Sequence, residues 1–181
     1  MAHVEQRDFL ENLKSKYPQF FKNLSVLECG SLNINGTVRD FFDNCEYLGI
    51  DLGEGNGVDL VVEATHLYSA PPESFDVVIS CEMLEHDMYY DLSLTHMCSL
   101  LKPGGMLIIT CATHGRPEHG TEKTSPADAP LLSSSNGWSS YYKNLIESDF
   151  RDYLPIDDIF TEYNFETNQK SFDIYFYGIK K

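Results

Sequence analysis

The sequence lacks any apolar run of the roughly 18 residues needed to cross a bilayer. Its opening, MAHVEQRDFLENLKSKYPQF, has no apolar signal core either. A membrane partner is therefore not expected, and a cytoplasmic location is. Basic residues are scarce, with 13 Lys and Arg against 28 Asp and Glu and a net charge of −15. A nucleic-acid partner needs a basic footprint, and the longest basic cluster here is Lys180-Lys181. Small molecules remain open as partners. Cysteine is present as five residues, an odd number without a CxxC pair. That usage reads as reduced, buried thiols and supports neither a disulfide nor a zinc framework. The dinucleotide fingerprint GxGxxG is absent as well.

What is present is globular. Phe, Tyr, Val, Ile and Leu are abundant, and hydrophobic residues make up 42%. Such a composition buries a core and excludes disorder. At roughly 150 residues per domain, 181 residues predict one domain over 1–181. Apolar spacing predicts helices over 4–21, 37–42 and 87–101, the last stopped by Pro103-Gly104-Gly105. Buried strands are predicted at 25–29, 46–51, 58–62, 75–81 and 106–112. A helix is predicted within 141–152, and a closing antiparallel hairpin from 160–165 and 172–179. Continuous apolar runs mean that both sheet faces are covered, which gives an open, mostly parallel α/β sheet. Ligands of such sheets bind beyond the carboxyl ends of the strands. Residues 113–140 are rich in Gly, Pro and Ser, without periodicity, and start on that side.

The first strand and turn read VLECGSLNINGTVRDFF. Gly30 permits a tight turn and close backbone approach, and Gly36 precedes the predicted helix. The glycines are ordinary turn residues or part of a ligand cradle. Asp51, 21 positions after Gly30 and ending the second strand, favours the cradle. A carboxylate there can accept from both ribose hydroxyls of a nucleotide-like ligand. Glu28 would repel a pyrophosphate but suits an ammonium group, pointing to an adenosyl cofactor with a cationic amino-acid tail.

These blocks resemble the class I S-adenosylmethionine-dependent methyltransferases, over about residues 24–112. VLECGSLNING is similar to the family's first motif, usually E/D-x-G-x-G-x-G, and YLGID to the second with its ribose-binding acid. VVEATHL is similar to the adenine-contact segment, FDVVISCEMLEH to the fourth motif and LLKPGGMLIIT to the fifth. The resemblance implies a Rossmann-like sheet of seven strands, mostly parallel with the last antiparallel, and helices on both faces. It implies S-adenosyl-L-methionine as cofactor. Glu28 and Gly30 would then lie under the methionine moiety, with Ser31 and Gly36 completing the loop. Asp51 would hold the ribose and Leu52 pack on the adenine. Glu63 and Ala64 would meet the adenine edge, and Cys81 and Glu82 would face the methyl group. The chain departs from the family in its first motif. Leu32 and Ile34 replace the second and third glycines, and Asn33 or Asn35 is left to offer side-chain hydrogen bonds.

Methyl transfer mainly needs donor and acceptor held in line, with a base where the acceptor must lose a proton. The candidate bases are His86, His114 and His119; a capping or bridging role is the structural alternative for His86. Arg116 and Glu118, in HGRPEHGT, would line the acceptor pocket with these histidines. Tyr141 and Tyr142, with Trp138, form either a lid over the acceptor or a plain hydrophobic cluster. His114, Glu118 and His119 match no established zinc spacing, so no metal is expected. Acceptor selection falls to 4–21 and to 113–152, an acceptor-side insertion or lid. The function predicted is methylation of a small-molecule acceptor at oxygen or nitrogen. The alternatives are a catalytically inactive methyltransferase-fold binding module and a nicotinamide-dependent oxidoreductase.

Overall fold

The computed structural model describes residues 3–134 and 137–181. Seven strands form one sheet: β1 (Ser25–Cys29), β2 (Glu46–Asp51), β3 (Leu60–Val61), β4 (Phe75–Cys81), β5 (Leu101–Ala112), β6 (Phe160–Asn168) and β7 (Asp173–Lys180). Their order is β3-β2-β1-β4-β5-β7-β6. Strands β1 to β5 pair in parallel, and β7 runs antiparallel to both β5 and β6. This is the Rossmann-like arrangement expected.

Successive residues of a strand point to opposite faces, and here both faces are buried. Val26, Val77, Ile79, Met106 and Ile108 face one layer, made by helix α1 (Val4–Lys16) and short turns at Pro18–Phe21 and Arg39–Phe41. Leu27, Cys29, Val78, Leu107, Ile109 and Cys111 face the other. That layer is α2 (Tyr90–Leu100), α3 (Glu147–Arg151), α4 (Ile156–Ile159) and a 3-10 segment at Ala64–Ser69. The five cysteines are free thiols. Among the described residues, no helix is long and apolar enough to cross a membrane.

Several element boundaries differ from the sequence reading. The helix over 4–21 stops at Lys16, because Pro18 disfavours the helical conformation at Tyr17; the chain resumes as a 3-10 turn. The helix over 37–42 shrinks to a 3-10 turn at Arg39–Phe41. Val38, Phe41 and Phe42 are buried there. Helix α2 starts at Tyr90 because the Asp87 side chain accepts from the Tyr89 N–H at 2.8 Å in a local turn. Within 141–152 only α3 is helical. Upstream of it, Lys143 N–H bonds the Glu85 carbonyl and Leu145 N–H the Ala112 carbonyl, both at 2.9 Å. Those long-range bonds hold the segment extended, and Asp149 begins α3 by accepting from Ile146 N–H at 2.8 Å. Strand β5 begins at Leu101, before Pro103-Gly104-Gly105. Its pairing to β4 slips there, from Phe75 opposite Leu101 to Val77 opposite Met106. The strand over 58–62 is reduced to two residues, Leu60–Val61.

Candidate active site

A cleft opens at the carboxyl ends of β1, β2 and β4. Gly30 turns the chain at φ +82°, and a Cβ there would sit 2.6 Å from Met83 Cβ. Gly30 N–H and Ser31 N–H both donate to the Ile50 carbonyl, at 2.9 and 3.0 Å, drawing the loop across the end of β2. Asp51 ends β2. One of its carboxylate oxygens accepts from Leu32 N–H at 2.9 Å and the other from Leu52 N–H at 2.8 Å. Burial raises the Asp51 carboxyl above its ordinary range, and these two N–H groups offset part of that. Glu28 is buried beneath the turn and accepts from the Tyr47 hydroxyl at 2.9 Å. Its carboxyl is pushed up to about 7 by burial. Ser31 is buried with an unpartnered Oγ. Leu52, Val62 and Ala64 form an apolar wall, and Asn35 and Gly36 reach the rim. Asn33 is used within the loop, accepting from Gly36 N–H at 2.8 Å.

Cys81 and Glu82 close the cleft at the end of β4. Burial raises the Cys81 thiol well above its usual value. Glu82 is held at φ +54°, a conformation that costs a non-glycine residue about 1 kcal/mol and marks a shaped site. Its Oε1 accepts from Thr110 Oγ1 at 2.9 Å, and Thr110 in turn accepts from Gln6 Nε2 at 2.9 Å. Behind it, His3 Nε2 lies 2.8 Å from Asp173.

Five carboxylates, those of Glu28, Asp51, Glu82, Asp87 and Asp128, line this cleft, and no Lys or Arg does among the described residues. It therefore suits a cationic ligand better than a polyphosphate. The long connection after β5 covers the mouth through 128–132 and through Trp138. Trp138 is 8% exposed and packs edge-on against Tyr89.

Of the residues expected at a cofactor, Glu28, Gly30, Ser31, Gly36, Asp51, Leu52, Ala64, Cys81 and Glu82 meet in this cleft. Glu63 stands outside the lining; its carboxylate accepts from Thr65 at 3.2 Å and pairs with His66 at 3.3 Å. Of the candidate bases, His86 reaches the cleft, and His119 packs edge-on against it with ring centres 5.1 Å apart. His114 is exposed and outside the lining. Arg116 is not available to an acceptor: it donates to the Ser171 carbonyl at 2.5 Å and to buried Asp173 at 3.2 Å. Glu118 is exposed and engaged on its own loop, accepting from Thr121 and Thr124 at 2.7 and 2.9 Å. Tyr142 packs on both His86 and His119, while Tyr141 stays outside the lining. Sequence reasoning missed Gln6, Met83, Asp87 and Asp128. Gln6 did leave a signal, as a polar residue on the stripe it shares with Leu10 and Leu13, all three buried.

A family model described as a methyltransferase domain matches residues 29–109, just under half of the chain. No curated protein sequence matches. Solved structures do. CurJ carbon methyltransferase is 17% identical with a TM-score of 0.59, covering 88% of this chain and 49% of its own, so the chain spans about half of that length. The Burkholderia thailandensis 1,6-didemethyltoxoflavin-N1-methyltransferase, solved with S-adenosylhomocysteine, is 14% identical with a TM-score of 0.58. It covers all of this chain and 92% of its own. The Haemonchus contortus phosphoethanolamine N-methyltransferase 2, solved with S-adenosyl-L-methionine, is 16% identical with a TM-score of 0.63, covering 96% and 52%. Identities this low establish a shared fold. The chain therefore matches a methyltransferase-domain model over residues 29–109 and shares its fold with these solved methyltransferases.

Proposed function

We propose that the chain binds S-adenosyl-L-methionine in this cleft and methylates a small molecule at oxygen or nitrogen. The observation that carries the reading is the meeting, in one acidic cleft free of Lys and Arg among the described residues, of the Gly30 turn, Asp51, the Leu52 to Ala64 wall and Glu82. Asp51 keeps unused lone pairs on both oxygens for the ribose hydroxyls. Leu52, Val62 and Ala64 pack against the adenine. Glu28 and the orphaned Ser31 Oγ face the charged methionine tail, and Cys81 and Glu82 face the methyl group. When bound, the cofactor supplies an activated methyl group that passes in line to the acceptor. The segment 128–132 and Trp138 exclude water from that path. Burial lowers His86 to about 3, which keeps its imidazole neutral and makes it a weak base at neutral pH. It therefore does not drive deprotonation of the acceptor. The covered mouth and the charge of −15 argue for a small acceptor over a nucleic acid.

Calorimetry with S-adenosylmethionine and S-adenosylhomocysteine tests the reading. Losing the charged acceptor in Asp51→Ala removes about 1.5–3 kcal/mol, so affinity falls about 10- to 150-fold. Wild-type protein that binds neither compound, or that binds NADH in their place, overturns it. One observation favours a catalytically silent module: the β1–β2 connection has a 3-10 turn where a helix was expected. Cofactor binding without turnover across a panel of amine and hydroxyl acceptors would support that second reading.

A further inference from the structure

We propose that Glu85, His86 and His119 form a binding site for a divalent first-row transition-metal ion. Glu85 and His86 lie in the 3-10 turn Leu84–His86 that follows β4, and His119 comes from the connection after β5. One ligand atom from each falls within 4.8 Å of the other two. All three side chains are nearly enclosed, at 0%, 7% and 9% exposure.

Packing does not account for this convergence. Both carboxylate oxygens of Glu85, Nδ1 of His86 and Nε2 of His119 are buried without a hydrogen-bond partner. A buried carboxylate with neither oxygen satisfied is costly to fold, and here the unsatisfied atoms belong to one cluster. A cation between them satisfies all three residues at once.

The cluster is also held as metal ligands usually are. His119 sets its Nδ1 against the Pro117 carbonyl at 3.1 Å. An N–H there leaves the Nε2 lone pair free to bind a metal, the usual outer-shell arrangement. His86 lies so close to Gly120 that a Cβ at 120 would be 2.6 Å from its Cε1. Gly120 sits at φ +70°, so glycine answers both demands at that position. The Tyr142 ring packs edge-on against both imidazoles, at 5.5 and 5.1 Å.

Metal–ligand bonds of about 2.1 Å place tetrahedral ligands about 3.4 Å apart. The ligand atoms, now within 4.8 Å of one another, would draw together on binding. Two imidazoles and one carboxylate suit zinc, cobalt or iron better than calcium or magnesium. The sequence reading weighed His114, Glu118 and His119 and expected no metal. The proposed site instead takes two of its three ligands, Glu85 and His86, from the turn after β4. Three protein ligands leave a coordination position free, and His86 lines the cofactor cleft. The bound ion would offer that position to an acceptor oxygen, a role that rests on the methyltransferase reading; metal binding itself does not.

The test uses the full chain, stripped with a chelator and desalted, then titrated with Co²⁺. We expect one equivalent to give visible d–d absorption that Zn²⁺ abolishes, and Zn²⁺ to raise the melting temperature. In Glu85→Gln and His119→Ala the Co²⁺ affinity should fall at least about 100-fold. Glu85→Gln, which keeps nearly the same shape and leaves no carboxylate to ligate, should melt no lower than wild type without metal while losing the Zn²⁺ shift. No stoichiometric Co²⁺ binding, or binding unchanged in both variants, overturns the proposal. Calorimetry with S-adenosylmethionine on the same metal-free protein is read separately. Cofactor binding without metal binding sinks this inference alone, and the reverse sinks the proposed function alone.

Discussion

Gly30→Ala separates two demands that one residue meets. At φ +82° an alanine is strained by about 1–2 kcal/mol. Its Cβ would also sit 2.6 Å from Met83 Cβ and 2.7 Å from Met83 Cγ, far inside contact distance. Pushing Met83 aside adds about 1–3 kcal/mol. The sum, about 2–5 kcal/mol, corresponds to a fall in melting temperature of about 5–15 °C for a chain of this size. Gly104 supplies the control. It has φ +76°, and a methyl group on its Cα would meet nothing within 4 Å. Gly104→Ala should therefore show the backbone strain alone, a fall of about 3–6 °C. Calorimetric melting of wild type and both variants measures the difference. Equal losses would refute the close approach of the first turn to Met83. Because that approach shapes the cleft floor, Gly30→Ala should also weaken S-adenosylmethionine binding, and Gly104→Ala should not.

Glu28, with its carboxyl at about 7 in the folded chain and 4.5 as its ordinary value, should make stability fall as pH rises from about 4.5 to 7. Over that window the folded state keeps a proton that the unfolded state has lost. Glu28→Gln should therefore exceed wild type by about 3 kcal/mol above pH 7 and converge with it below pH 4.5; a pH-independent difference in melting would contradict the cause. Arg116→Met leaves buried Asp173, among the described residues, with His3 alone as charge partner. It should cost about 3 kcal/mol in chemical denaturation while calorimetric cofactor affinity holds, and an affinity loss without a stability loss would return Arg116 to the binding site. Trp138→Ala should raise the Kd for S-adenosylmethionine about tenfold or more by opening the mouth; unchanged calorimetry would remove Trp138 from the lid.

The parts of the fold legible in the sequence are those whose cause is local. Val77, Val78 and Ile79, or Leu107, Ile108 and Ile109, are apolar at every position because both faces of those strands are covered, and the run itself announces it. Gly30, Asp51 and Glu82 are legible because each ends a strand or directly follows one. Elsewhere the deciding partner is remote. Residues 141–146 have helical patterning, yet Glu85 and Ala112 capture the N–H groups of Lys143 and Leu145. Arg116 reads as a ligand for an acceptor until Asp173, 57 positions on, is seen to hold it. Glu85 reads as a helix-start or hydrogen-bonding residue, since nothing local marks its carboxylate as unpaired.

The covering of one sheet face by α1 carries a consequence for how the chain is made. Phe9 stacks on Tyr175 with ring centres 4.7 Å apart, and Lys16 reaches the Tyr177 hydroxyl at 3.0 Å. Tyr17 bonds Glu162, 145 residues away. Residues 4–21 leave the ribosome well before the hairpin they dock on. Until β7 inserts beside β5, α1 lacks half of its seat, and Val26, Val77 and Ile79 have no complete cover. This face is therefore most exposed to aggregation just before that hairpin emerges, and its closure is the late, non-local step that paces folding.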